Sequence, residues 1–176
     1  MAGWTCPECG LDYDSVAPGD IPVSLRSFPR RYRAAVAGFT DDETADALVH
    51  RRPDDKTWSV VEYIAHVADL WELFAVGLQD MANGRPVSVE VWDPDARATS
   101  ERYNDRAADA VLDELTAAAE RLADVLDDVH GEAWSNTFEF EWGERDLLTM
   151  ARNAVHEGRH HLRDVEQVRA AVLRRT

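Results

Sequence analysis

Apolar residues recur at intervals of three and four through four stretches of this chain, the spacing that lines one face of an α-helix. At 23–39 the stripe is Leu25, Phe28, Tyr32, Ala35, Val36 and Phe39, with Pro29 placed in the first turn, where a missing N–H costs nothing. At 58–81 it is Tyr63, His66, Leu70, Leu73, Phe74 and Gly77, and Ser59 with Glu62 has the S-x-x-E spacing of a capping box. At 107–129 the stripe runs from Val111 and Leu112 through Leu115, Ala118, Leu122, Val125 and Leu126 to Val129, with the acids opposite read as a solvated face. From about 144 to 174, Leu147, Met150, Ala151, Ala154, Val155, Leu162, Val165, Val168 and Val172 make a fourth stripe, and Asp146 falls in its first turn.

The connections are less regular. A short helix is expected at 40–50, with Thr40 as N-cap and Glu43 closing a capping box, followed by a loop at 51–56. Residues 83–106 form a long connection with an extended piece at 87–91, and Trp92 and Tyr103 are its candidates for burial. So long a connection in a helical domain suits the cover of a site. At 130–143 the alternation TFEFEW predicts a short extended segment, and Trp134, Phe138, Phe140 and Trp142 are placed to cap one end of the bundle. The expected fold is all-α: an up-down-type four-helix bundle with long connections, spanning 23–176 behind a short zinc-knuckle-like extension at 1–22.

Length and charge narrow the partners. The 176 residues suit one domain, and a net charge of −15 with a pI of 4.7 argues against a nucleic-acid backbone or an anionic membrane surface. Lys56 is the only lysine among many arginines, a bias expected of a high-GC genome. No bilayer-spanning run or leader pattern is visible, so a cytoplasmic location is expected. In such a reducing compartment the Cys6-x-x-Cys9 spacing suggests metal before disulfide.

The chemistry concentrates in NAVHEGRHHLRD at 153–164. His156 and His160 are four apart and share one side of a helix; Glu157 and His161 share another, about 100° further round. On the wheel His161 falls within the apolar face and Glu157 at its edge, so this pair looks inward and His156 with His160 looks out. With His66 from the second helix, Glu157 and His161 offer two nitrogens and an oxygen. That set suits zinc, and also nickel, manganese or iron, and three ligands leave a position for water or substrate. The plainer alternative is a buried Glu157–His161 pair beside an unrelated core histidine. Asp164 is placed to orient His161.

On the outer side, Cys6, Cys9, His156 and His160 have the ligand count and spacing of a structural zinc site, if the CPECG turn folds back onto the fourth helix. Gly10 permits the backbone to turn under such an ion. An all-cysteine site shared by two subunits is the other arrangement, and unrelated surface histidines are the plainest one.

The run WSVVEYIAHVADL, followed by a C-terminal H-E-x-x-H-H-x-x-D helix, resembles the DinB-like superfamily, which includes thiol-dependent S-transferases and mycothiol-dependent maleylpyruvate isomerases. The resemblance runs from about Val23 to the end and leaves the CPECG head outside it. It implies a bundle that holds a divalent ion through one second-helix residue, His66, and two fourth-helix residues four apart. Those are either Glu157 with His161 or His156 with His160. The isomerase-like pattern of glutamate, histidine and then aspartate matches Glu157, His161 and Asp164. The implied function is a metal-dependent transferase or isomerase using a mycothiol-like thiol, with an electrophilic substrate entering beneath 83–106. Arginines near that mouth are the natural partners of a carboxylate, and a homodimer is expected. The competing readings are a non-catalytic, metal-stabilised binding or stress-response module, and a hydrolase using metal-activated water. DNA repair is not implied by the family's name.

Overall fold

The computed structural model describes residues 3–37, 43–87, 92–140 and 143–174. Its long helices are α1 (Asp20–Val36), α3 (Val60–Ala82), α5 (Ala108–Asp127) and α6 (Leu147–Leu173); α2 (Glu43–Val49) and α4 (Pro94–Ser100) are short. Strands β1 (Thr137–Phe140) and β2 (Gly143–Asp146) form an antiparallel hairpin. The long helices make the expected four-helix bundle. Both α1 and α3 pack against α5 and α6, so α1 and α3 lie across a diagonal although they are consecutive long helices. The helices meet at the centre in Trp71, Tyr32, Phe28 and Leu115, each nearly or wholly buried.

Several boundaries differ from the sequence expectation, each for a local reason. Helix α1 starts at Asp20, so Pro29 sits in its interior and is buried, not in the first turn. Helix α6 begins at Leu147. The residues before it pair with β1, and Asp146 is the N-cap, its side chain accepting from the Thr149 N–H. The first four residues of the TFEFEW alternation, Thr137–Phe140, are realised as β1. Phe39, Thr40, Trp142 and positions 88–91 of the expected extended piece lie outside the described residues, as does the side chain of Glu43.

Helix α3 departs from a one-sided stripe. Its core face is Val61, Ile64, Ala65, Ala68, Trp71, Ala75 and Leu78, all buried. Leu70 and Leu73, which the periodicity places inside, are half-buried and line a cavity with His66, Phe74 and Gly77. The helix is apolar almost all round because one side faces the core and another faces this space.

The start of α3 is closed as its sequence predicts. The Ser59 side chain accepts from the Glu62 N–H at 3.2 Å, and Glu62 Oε2 accepts from the Ser59 N–H at 2.8 Å. Arg52 pairs with the same carboxylate. Burial alone would raise the Glu62 carboxyl, but Arg52 and Ser59 outweigh it and hold it below the ordinary range. A carboxyl depressed in the folded state stabilises the fold above its unfolded pKa and ceases to do so as pH falls through the folded value. Glu62→Gln should therefore cost about 1 kcal/mol near pH 7, a difference that narrows below about pH 4. Denaturant melts across pH test this; a loss independent of pH would mean that the charge contributes nothing.

From Trp92 onward the 83–106 connection is tied down. Tyr103 is fully buried and donates to Asp69 at 2.7 Å; Arg97 donates to the same carboxylate and lies 4.8 Å from the Trp92 ring centroid. Trp58 Nε1 donates to Asp95, and Ser59 Oγ donates to Asn104. Of the expected anchors, Tyr103 buries completely and Trp92 half. Three acids on the solvated side of α5 are gathered by Arg26 of α1, which contacts Glu120, Asp124 and Asp127 at 2.6–2.9 Å.

Candidate metal centre

Helix α6 carries both histidine-bearing pairs at the level where it crosses α3. It comes close there because residue 158 is glycine: a Cβ built on Gly158 would lie 2.5 Å from Trp71 Cζ2 and 3.0 Å from Phe28 Cε2. Trp71 Nε1 donates to the Ala154 carbonyl at 3.0 Å and Tyr32 Oη to the Gly158 carbonyl at 2.9 Å, which fixes the approach.

On the α3 side of α6, His66, Glu157 and His161 each present a ligand-type atom, and these atoms lie within 4.8 Å of one another. His161 Nε2 is 3.3 Å from Glu157 Oε2, and the His66 and His161 rings meet edge-on with centroids 5.0 Å apart. Asp164 holds His161 from behind, Oδ2 to Nδ1 at 2.9 Å. This turns Nε2 of His161 toward the other two donors.

The electrostatics suit a cation. Burial, reinforced by His161, pushes the His66 imidazole down to about 4, so it is neutral with a lone pair to offer. Its Nδ1 is buried with no hydrogen-bond partner among the described residues. Burial opposes charge on His161 as well, but Asp164 and Glu157 outweigh it and lift that imidazole to about 9. Burial likewise opposes charge on Glu157, yet His156 and His161 hold its carboxyl well below the usual range. The cluster therefore favours positive charge at His161, and a divalent ion would take the place of the proton on its Nε2, beside Glu157 and His66. Two imidazoles and a carboxylate fit zinc and its first-row neighbours.

A cavity of about 300 Å³ ends on this cluster and is lined by His66 and Glu157. Its walls are apolar: Leu70, Leu73, Phe74, Leu78 and Met81 from α3, and Val87, Trp92, Pro94, Phe140 and Met150 around them. Asn153, one turn before Glu157, is a polar lining residue that the sequence reading passed over, although 153, 157 and 161 are spaced four apart. Among the described residues no arginine or lysine lines the cavity, contrary to the expectation of arginines at the mouth. Arg97, the cation next to Trp92, is committed to Asp69.

The other pair faces away. His156 and His160 point from the outer side of α6, as the wheel has them, but they are not bare. The N-terminal extension covers them, leaving their side chains 13% and 22% exposed. Cys6, Cys9, His156 and His160 form a second group of donor atoms within 4.8 Å of one another. Burial raises the Cys6 thiol, but the Cys9 backbone and the nearby His156 imidazole, among others, outweigh it and bring it to about 6. Cys9 is raised, by burial and by its neighbour Cys6. The structure thus groups all seven sequence-nominated residues, in two sets on adjacent faces of α6.

These features define a helical-bundle protein with a three-donor cluster at the foot of an apolar cavity. The chain belongs to the DinB superfamily, whose sequence model matches residues 24–165. Among solved structures, one similar chain is YfiT from Bacillus subtilis, described as a probable metal-dependent hydrolase with an unusual four-helix bundle topology. It shares 15% identity over 86% of this chain and 85% of that one, with a TM-score of 0.75. The mycothiol-dependent maleylpyruvate isomerase is similar at 17% identity and a TM-score of 0.67, covering 87% of this chain and 62% of the isomerase. A variant of that isomerase matches equally. No curated protein matches the chain. At such identities the likeness speaks for the fold. Among the described residues no helix is long and apolar enough to cross a membrane.

Proposed function

We propose that the chain is a metal-dependent enzyme that activates a low-molecular-weight, mycothiol-like thiol for attack on an uncharged, largely apolar electrophile. The observation that carries this reading is the cavity's position: it ends on His66 and Glu157, two of the three convergent donors. Three donors leave a position on the ion free toward this space, the arrangement of a catalytic and not of a structural ion. When bound, a divalent ion supplies charge that lowers the pKa of a thiol or water beside it. His66, Glu157 and His161 would hold it, and Asp164 fixes the ring orientation of His161. The side chains of Leu70, Leu73, Phe74 and Met150 keep water from the reacting atoms, which strengthens every charge interaction inside.

The same walls argue against a dicarboxylate substrate of the kind maleylpyruvate represents. Glu157 is the only acid or base besides His66 among the described lining residues, so no cationic side chain is there to pair with the carboxylates of such a substrate. The neighbouring positions 88–91 and 141–142 contain no basic residue in the sequence.

The test is turnover of the electrophile, with and without thiol, by zinc-loaded and chelator-treated protein, with uncharged apolar and dicarboxylate electrophiles in parallel. The expected result is conjugation or isomerisation that needs both ion and thiol and favours the apolar compounds. Metal-dependent cleavage of apolar esters that proceeds without added thiol would replace this reading with hydrolysis. A strong preference for dicarboxylates would overturn the substrate class.

A further inference from the structure

The N-terminal extension holds a motif that the inner centre does not use. Residues 4–13 fold into a tight turn: the Cys6 N–H donates to the Leu11 carbonyl and the Gly10 N–H to the Cys6 carbonyl, both at 2.9 Å. Gly10 sits at φ +68, which a side chain would resist. This turn is seated on α6 by contacts that do not involve the thiols. Tyr13 Oη donates to Asn153 at 2.7 Å, Arg159 Nε to the Cys9 carbonyl at 3.0 Å, and Arg152 Nε to the Val16 carbonyl at 3.0 Å. They place both cysteines over His156 and His160.

We infer that Cys6, Cys9, His156 and His160 form a closed, tetrahedral zinc site that clips the extension to the bundle, separate from the inner centre. Three observations carry it. The four donor atoms lie within 4.8 Å of one another, and Cys6 Sγ is 3.6 Å from His160 Nδ1. Zinc–sulfur and zinc–nitrogen bonds of about 2.3 and 2.0 Å at a tetrahedral angle place sulfur and nitrogen about 3.5 Å apart. Next, both ring nitrogens of His156 are buried without a hydrogen-bond partner among the described residues, although the ring is packed against Trp4 and Tyr13. A buried imidazole with nothing to bind is costly, and an ion gives one nitrogen a partner. Finally, both cysteines are free and buried, at 4% and 9% exposure. Two thiolates would balance the charge of a zinc ion, so the site is neutral and tolerates its cover. Four protein ligands leave no position for substrate, which makes it structural.

The two centres touch through carboxylates. Glu157 Oε1 is 3.6 Å from His156 Nδ1, and Asp164 Oδ2 is 3.7 Å from His160 Nε2 as well as 2.9 Å from His161 Nδ1. The outer ion thereby steadies two carboxylates that serve the inner centre.

The test uses cobalt in place of zinc, because only a thiolate-ligated cobalt ion shows an intense sulfur-to-metal charge-transfer band. Cobalt-loaded His66→Ala should keep that band with one ion per chain, and Cys6→Ser/Cys9→Ser should lose the band and one ion. Wild-type protein supplies a check that needs no variant: a thiol reagent should label Cys6 and Cys9 only after chelation. Absence of the band in His66→Ala overturns the proposal, as does full labelling of the zinc-loaded wild type. A band characteristic of four thiolates, appearing only in a dimer, would overturn it in favour of a site shared between subunits.

Discussion

His66→Ala should leave the bundle folded and strip the inner centre of its ion. His66 contributes the one donor that does not come from α6. Without it Glu157 and His161 remain, two neighbours on a single helix, and two protein ligands are fewer than a catalytic zinc site uses. Activity should fall by more than the roughly 10–100-fold that removal of an outer-shell partner costs. The fold should tolerate the change, because the lost ring carries a buried nitrogen with no partner among the described residues and borders the cavity. Elemental analysis together with a melt of the metal-free proteins decides the matter. The expected result is one ion fewer per chain and similar metal-free melting temperatures. Retention of every ion with undiminished activity would remove His66 from the centre and the enzyme reading with it.

Gly158→Ala should destabilise the fold even though it adds only one methyl group to α6. On helix propensity alone the change favours the fold by about 1 kcal/mol. The new Cβ, however, would sit 2.5 Å from Trp71 Cζ2, where something must move. Trp71 is fully buried and hydrogen-bonded to Ala154; Phe28 is 2% exposed, so neither ring has room to retreat. Overpacking of this kind costs about 1–3 kcal/mol or somewhat more. With no room for either ring the cost falls at the top of that range, so the net loss is about 2 kcal/mol, a fall in Tm of about 4–8 °C for a chain of this size. The helix that shifts is the one carrying Glu157 and His161, so ion affinity should weaken in the same variant. An unchanged or raised Tm would mean that α6 has slack against α3.

The four long helices were legible because each stripe is regular and the α3 cap is explicit in Ser59 and Glu62. The division of the histidines into inner and outer pairs was legible from the wheel alone, since residues offset by one position differ by about 100°. Other features were hidden for physical reasons. Periodicity cannot tell a side chain that faces the core from one that faces a cavity, so Leu70 and Leu73 of α3 read as core. Proline in a helix interior is disfavoured by its missing N–H and its ring; the buried Pro29 is an exception that tertiary packing imposes. The hairpin drew Glu144 and Arg145 out of the fourth helix through pairing with Phe138 and Glu139, a non-local preference. Gly158 carries no hydrophobic signal at all, yet it decides how near α6 comes to Trp71.

The walls of the cavity have two origins. The donors and one wall belong to α3 and α6, whose positions are locked by the core. Val87, Trp92, Pro94 and Phe140 come from the connection after α3 and from the hairpin, segments that carry no donor of the inner cluster. Exchanges at those four positions change what fits without disturbing what binds the ion. The scaffold is therefore divided so that selection could redraw substrate preference in the connections, one residue at a time, while every intermediate keeps its metal.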